Sequence, residues 1–246
     1  MTLVDQFSAY GRWRADVAEV VGRLRSWLSD NDVGDAQGDM RLQYVLDRLR
    51  DDKLTVAFVA EFSRGKSELI NAVFFADYGS RILPSSAGRT TMCPTELKWS
   101  AGDRPEIRLL PIATRASQAS VSELKRFPDE WEVAALPAES AAGLQQALAR
   151  VGETARVDQD TARSYGFRVD PAGEEGLKPG ADGLVEIPSW RHAVIQFPHP
   201  LLEQGLVVLD TPGLNAIGAE PELTLSLLPN AHAVLFILAA DTGVTQ

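Results

Sequence analysis

The 246 residues suit one large domain or one and a half smaller ones, and 45% hydrophobic against 24% charged residues is enough apolar material for a buried core. A formal net charge of −10 repels phosphates, which argues against generic binding to nucleic acid or to an anionic lipid surface. Cys93 is the only cysteine, so no internal disulfide forms. Apolar runs reach only about eight residues (Ala233 to Ala240), far short of a membrane span, so a cytoplasmic protein is expected.

In chain order, Leu3, Phe7, Tyr10, Val17, Val20, Leu24 and Trp27 recur at helical steps and predict a long amphipathic helix over 3–28. A polar break at 29–38 precedes a second helix carrying Met40, Leu42, Val45, Leu46 and Leu49. The pair either packs on the neighbouring domain or belongs to a helical bundle whose remainder lies beyond Gln246. Leu54 to Ala60 is a continuous apolar, β-branched run, the pattern of a buried parallel strand. A glycine-containing loop and a helix over 67–78 follow. Residues 95–100 and 106–112 read as strands joined at Ala101-Gly102-Asp103. Residues 116–165 read as weakly helical, interrupted by Pro128 and Pro137, and 170–183 as a loop. Strands are predicted again at 191–197 and 205–210, a short helix near 219–228, and a last strand from Ala231 to Ala239.

The loop after the first strand carries the most specific signal. Residues 60–67 read AEFSRGKS, which matches G-x-x-x-x-G-K-S/T except that Ala60 stands where the first glycine is expected. In this pattern the backbone from Glu61 through Phe62, Ser63 and Arg64 to Gly65 wraps a phosphate chain. The N–H groups of the loop and of the following helix donate to its oxygens. Lys66 supplies a charge between the β- and γ-phosphates, and the Ser67 hydroxyl is a magnesium ligand. Downstream, the apolar run Leu206 to Asp210 ends in Asp210-Thr211-Pro212-Gly213, a D-x-x-G. Its aspartate holds Mg²⁺ through water and its glycine N–H senses the γ-phosphate. His192, His199 and His232 show no metal-ligand spacing and are expected to be structural. Arg64 and Arg89 each adjoin a nucleotide motif; either reaches the γ-phosphate or serves the surface.

Between the two motifs lies LPSSAGRTTMCP, residues 83–94. Together with AEFSRGKSELINAVF and VVLDTPGLN, this segment resembles the bacterial dynamin-like proteins of the dynamin superfamily of large GTPases. The likeness is good over 54–100 and 191–241, loose over the N-terminal helices and nearly absent over 113–185. It implies an α/β P-loop G-domain, a mixed sheet flanked by helices and preceded by an N-terminal helical segment. It makes Thr91 the magnesium-binding threonine of the first switch, with Thr90 the runner-up. It makes Ser63 the P-loop serine that, with the Gly88 backbone, positions a monovalent cation ordered by G-domain dimerisation. Thr91, Ser63 and Gly213 are then the catalytic group, GTP and Mg²⁺ the cofactors, and Ser67, Thr91 and Asp210 the metal ligands.

The guanine preference comes from the resemblance alone, because no N/T-K-x-D motif occurs in these residues. Of the expected sheet order 2-3-1-4-5-6, strands 5 and 6 have no counterpart, so the sheet is expected to be incomplete and this chain a poorly active fragment. The expected division is a helical segment at 1–52 and a GTPase domain at 53–246 with an insertion near 113–190. The implied function is GTP hydrolysis coupled to self-association through the GTPase domain and to peripheral membrane contact made by other regions, without nucleic acid. The alternatives are a binding module without turnover, a small assembly-type GTPase switch and an ATP-using P-loop kinase.

Overall fold

A computed structural model of the chain describes residues 3–50, 53–61, 65–83, 93–100, 102–117, 119–170, 176–212 and 228–238. Two helices, α1 (Leu3–Asp30) and α2 (Ala36–Arg50), precede strand β1 (Leu54–Ala60) and helix α3 (Lys66–Phe74). Then come β2 (Thr95–Lys98), β3 (Glu106–Pro111), α4 (Val121–Leu124), β4 (Glu132–Ala135), α5 (Ala141–Ala149), β5 (Thr154–Val157), α6 (Gln159–Ser164) and β6 (Val185–Pro188). The last elements are β7 (Trp190–Gln196), α7 (Pro200–Glu203), β8 (Leu206–Asp210) and β9 (Ala233–Ile237).

Seven strands form one sheet in the order β4-β3-β7-β2-β8-β1-β9. β1 runs parallel to both β8 and β9, whereas β2 is antiparallel to β8. The expected local order 2-3-1-4 is therefore present as β2-β8-β1-β9. β8 is buried at every position and β1 through its last four, as apolar strands covered on both faces must be. Among the described residues β9 is an edge strand, and Val234, Leu235 and Phe236 on it are exposed.

The region between the two motifs departs from the sequence reading. β2 and β3 do not pair with each other; β7 lies between them, parallel to β2 and antiparallel to β3. Its sequence explains the placement: every residue of β7 except Arg191 is buried, which suits an interior strand. The predicted weak helix over 116–165 is instead broken into short pieces, two of them strands. β4 pairs with β3, Ile107 opposite Ala134, and β5 with β6 in a separate two-stranded sheet. Cross-strand pairing overrides the helix-favouring composition there.

Alternation along the strands divides the core by face. On one face Phe58, Leu97, Ile107, Ile195 and Val208 pack under Ile70 and Phe74 of α3, Leu144 and Leu148 of α5, and Leu201 and Leu202 of α7. Phe7 of α1 packs against the same cluster, and the Ser8 hydroxyl donates to Gln204 Oε1 at 3.0 Å. On the other face lie one group with Leu110, Leu124, Trp131 and Val194, and another with Ala57, Val59 and Leu209. Ile112, Ala162, Phe167, Leu177, Val185 and Ile187 form a satellite core around the small sheet. The region between β3 and β7 thus contributes α5 to the main core and β4 to the main sheet, and shares in a small separate core.

One buried charge cluster sits on the second face. The Glu96 carboxylate accepts from the Lys125 ammonium, lies 3.4 Å from Lys98 Nζ and 3.8 Å from Nε2 of the buried His192. Burial alone would raise the Glu96 carboxyl, but His192, Lys125 and Lys98 outweigh it and hold the group well below its ordinary value of 4.5. Burial pushes the His192 imidazole below its usual range, against the opposing pull of Glu96. A depressed folded pKa contributes stability that is present above the unfolded value and lost as pH falls toward the folded one. Glu96→Gln is therefore expected to flatten the acid limb of the stability–pH curve below about 4.5. Chemical denaturation at stepped pH checks this; an unchanged acid limb would contradict it.

Candidate phosphate-binding site

The site is assembled at the carboxyl ends of β1 and β8. Ala60 is the last residue of β1, opposite Ile237 on β9, and is fully buried. Its φ is negative, so the alanine that replaces the motif glycine fits an ordinary strand conformation. Gly65 adopts φ 83° and ψ 13°, a left-handed conformation that side chains disfavour. Among the described residues a β-carbon built there meets nothing within 4 Å, so the left-handed conformation itself is what favours glycine.

α3 starts directly after Gly65, and no side chain of that residue caps it. Its N-terminus carries the positive end of the helix dipole. Lys66, with a side chain only 8% exposed, is the first residue of this helix, where a buried ammonium is repelled by the dipole. An anion must offset both costs. Asp210 Oδ1 does so from 2.8 Å, its own side chain 8% exposed. The contact is an ion pair whose atoms are not aligned as a hydrogen bond.

Strand register brings the aspartate there: Asp210 lies opposite Phe58 on β1 and opposite Thr95 on β2. Thr211, fully buried, ties the end of β8 to β1 by donating its hydroxyl to the Phe58 carbonyl at 3.0 Å. Ser67 is buried beside Lys66 in the first turn of α3. The hydroxyl of Ser67 and the carboxylate of Asp210 are hard oxygen donors of the kind that suit magnesium together with phosphate.

Of the residues singled out from sequence, the structure brings Gly65, Lys66, Ser67 and Asp210 to one end of the sheet. Glu61 follows β1 directly and is half-buried. Phe62, Ser63, Arg64, Gly88, Arg89, Thr90, Thr91 and Gly213 lie outside the described residues. The histidines serve local structure. His192 sits beside Glu96, His199 Nδ1 accepts the Leu201 N–H at the start of α7, and His232 Nδ1 accepts the Thr55 N–H.

Two polar residues near the site escaped the sequence reading, Thr211 and Asn71. Both are buried. Thr211 was visible as the polar residue straight after an apolar strand. Asn71 was visible as a lone amide between Ile70 and Phe74 on the buried side of α3. Neither signal names a partner.

A family model described as the Dynamin family matches residues 56–246. The chain belongs to the dynamin family. The match makes this stretch a dynamin-type GTPase domain, and it takes in the Lys66–Asp210 pair, the Asn71 helix and the strands between β1 and β8. A bacterial dynamin-like protein of Nostoc punctiforme is 36% identical over 81 residues, which is 33% of this chain and 11% of that protein. Two solved structures of an oligomerised bacterial dynamin pair, described as a mechanism for long-range sensing and tethering of membranes, give TM-scores of 0.43 and 0.46. Their identities are 14% and 16%, and the alignments cover 100% and 97% of this dynamin-family chain and 35% of each neighbour. Among the described residues, no helix is long and apolar enough to cross a membrane.

Proposed function

We propose that this chain binds GTP with Mg²⁺ and hydrolyses it as part of a dynamin-like large GTPase. The buried Lys66–Asp210 pair, set at the N-terminus of α3, carries the reading. A fold that keeps an ammonium buried at the positive end of a helix is suited to a multiply charged anion. Lys66 would exchange its carboxylate partner for the β- and γ-phosphates, and the Asp210 carboxylate would serve the metal. Ser67, Asp210 and Thr91 hold Mg²⁺, which neutralises charge on the phosphate oxygens. Glu61, Phe62, Ser63, Arg64 and Gly65 form the phosphate loop, Gly213 meets the γ-phosphate, and Ser63 helps hold a monovalent cation.

The proposed division is a helical segment at 1–52, a GTPase domain at 53–246 and an insertion near 113–190. Exposed Trp13, Val20, Leu24 and Trp27 along α1 support a bundle contribution by the first segment. Self-association through the GTPase domain and peripheral membrane contact through other regions complete the proposal; likeness to an oligomerised, membrane-tethering bacterial dynamin pair motivates it.

Titrating fluorescent GDP and GTP into the full-length protein with and without Mg²⁺ tests the reading. Ser67→Asn strips one metal ligand, so affinity for GTP in Mg²⁺ is expected to fall about tenfold or more, while GDP without metal binds as before. Equal loss of both would remove Ser67 from the metal site.

A further inference from the structure

We infer that Asn71 is a positioning residue for nucleotide turnover, fastening the chain that leads into residues 84–92 to the phosphate-binding helix. The inference rests on the GTPase reading above and extends it to a residue outside the motifs. Asn71 lies four positions after Ser67, so the two share one side of α3 on consecutive turns. Its Oδ1 accepts from the N–H of Ile82 at 3.0 Å and of Leu83 at 2.8 Å, and its Nδ2 donates to the Leu83 carbonyl at 3.1 Å. One planar amide thus engages both polar groups of Leu83 and a neighbouring N–H, which needs acceptor and donor on the same short side chain.

The location makes this more than the satisfaction of buried backbone. Ile82 and Leu83 are buried in the main core, against the same helix that begins with Lys66. The chain returns at the buried Cys93, whose carbonyl accepts from the Thr95 hydroxyl at 3.1 Å, and Thr95 lies opposite Asp210. The two ends of the intervening stretch, which bears Thr91, are therefore fixed to the two halves of the phosphate site. One end is held by the lysine helix through Asn71 and the other by the aspartate strand through β2. Moving the first end by one hydrogen bond length shifts the origin of the whole stretch relative to Lys66 and Ser67.

The test is Asn71→Ala in the full-length protein. A positioning role predicts that kcat for GTP falls roughly tenfold to a hundredfold while GDP affinity stays within about twofold of wild type. Parallel loss of kcat and GDP affinity would overturn the inference by reducing Asn71 to a fold-stabilising residue, and so would an unchanged kcat in a folded variant. Should the variant not fold, hydrogen exchange on the wild-type protein decides. Ile82 and Leu83 amides exchanging as slowly as those inside α3, both with GDP and with a non-hydrolysable GTP analogue, support the clamp; exchange at exposed-loop rates overturns it. Lys66→Ala run alongside keeps the two readings apart. Wild-type nucleotide affinity in that variant would remove the phosphate site itself, whatever Asn71 does.

Discussion

Replacing Lys66 by alanine is expected to abolish binding of both GTP and GDP, with affinity down a hundredfold or more, about 3 kcal/mol. The side chain is buried against Asp210, so solvent cannot substitute for its charge. The same substitution leaves the Asp210 carboxylate buried without its ammonium. Breaking a buried pair from one side costs about 3–5 kcal/mol, so the variant is also expected to melt earlier. The two effects separate in a double variant. Lys66→Ala with Asp210→Asn should recover part of the stability, because no lone charge stays buried, and still fail to bind nucleotide. Isothermal titration and thermal unfolding on the same samples read both quantities. Recovery of binding in the double variant would mean that Lys66 acts only as the counter-ion of Asp210.

Thr91→Ala is the second large effect. The hydroxyl is proposed to reach the metal only when the γ-phosphate is present. Diphosphate binding should therefore be preserved, while turnover falls by about a hundredfold or more, the scale seen when one donor to a developing charge is removed. The anchored residues Leu83 and Cys93 give this expectation its structural footing, since Leu83 is held by Asn71 of the lysine helix and Cys93 by Thr95, opposite Asp210. Thr90→Ala is the control. Single-turnover hydrolysis with GDP affinity measured in parallel distinguishes the outcomes, and the larger effect at Thr90 would transfer the role by one position.

The parts legible in the sequence share one property: their signal is local. β1 and β8 are largely apolar runs ending at chemically distinctive loops, so Lys66, Ser67 and Asp210 stand out before any fold is known, and the structure brings them to one end of the sheet. The order β2-β8-β1-β9 followed from the family likeness. What stayed hidden depends on partners distant in sequence. β4 and β5 are four-residue strands with mostly exposed or half-exposed side chains, too short for one or two β-branched residues to outweigh the surrounding helix-favouring composition. β7 sits between β2 and β3 because of burial on both faces, which no turn signal near Gly102 reveals. Asn71 and Glu96 are polar residues whose meaning lies in Leu83 and in Lys125 and His192 respectively. A sequence shows that such a group is out of place on an apolar face, but not what it holds.

The most direct test of the central claim is phosphate release by the full-length wild-type protein, measured with GTP and with ATP, each in Mg²⁺ and in EDTA, against Lys66→Ala as background. The expected result is release from GTP that requires Mg²⁺, exceeds release from ATP and vanishes in the variant. Release from GTP no faster than that of Lys66→Ala, or equal in EDTA, would contradict a magnesium-dependent GTPase centred on Lys66 and Asp210.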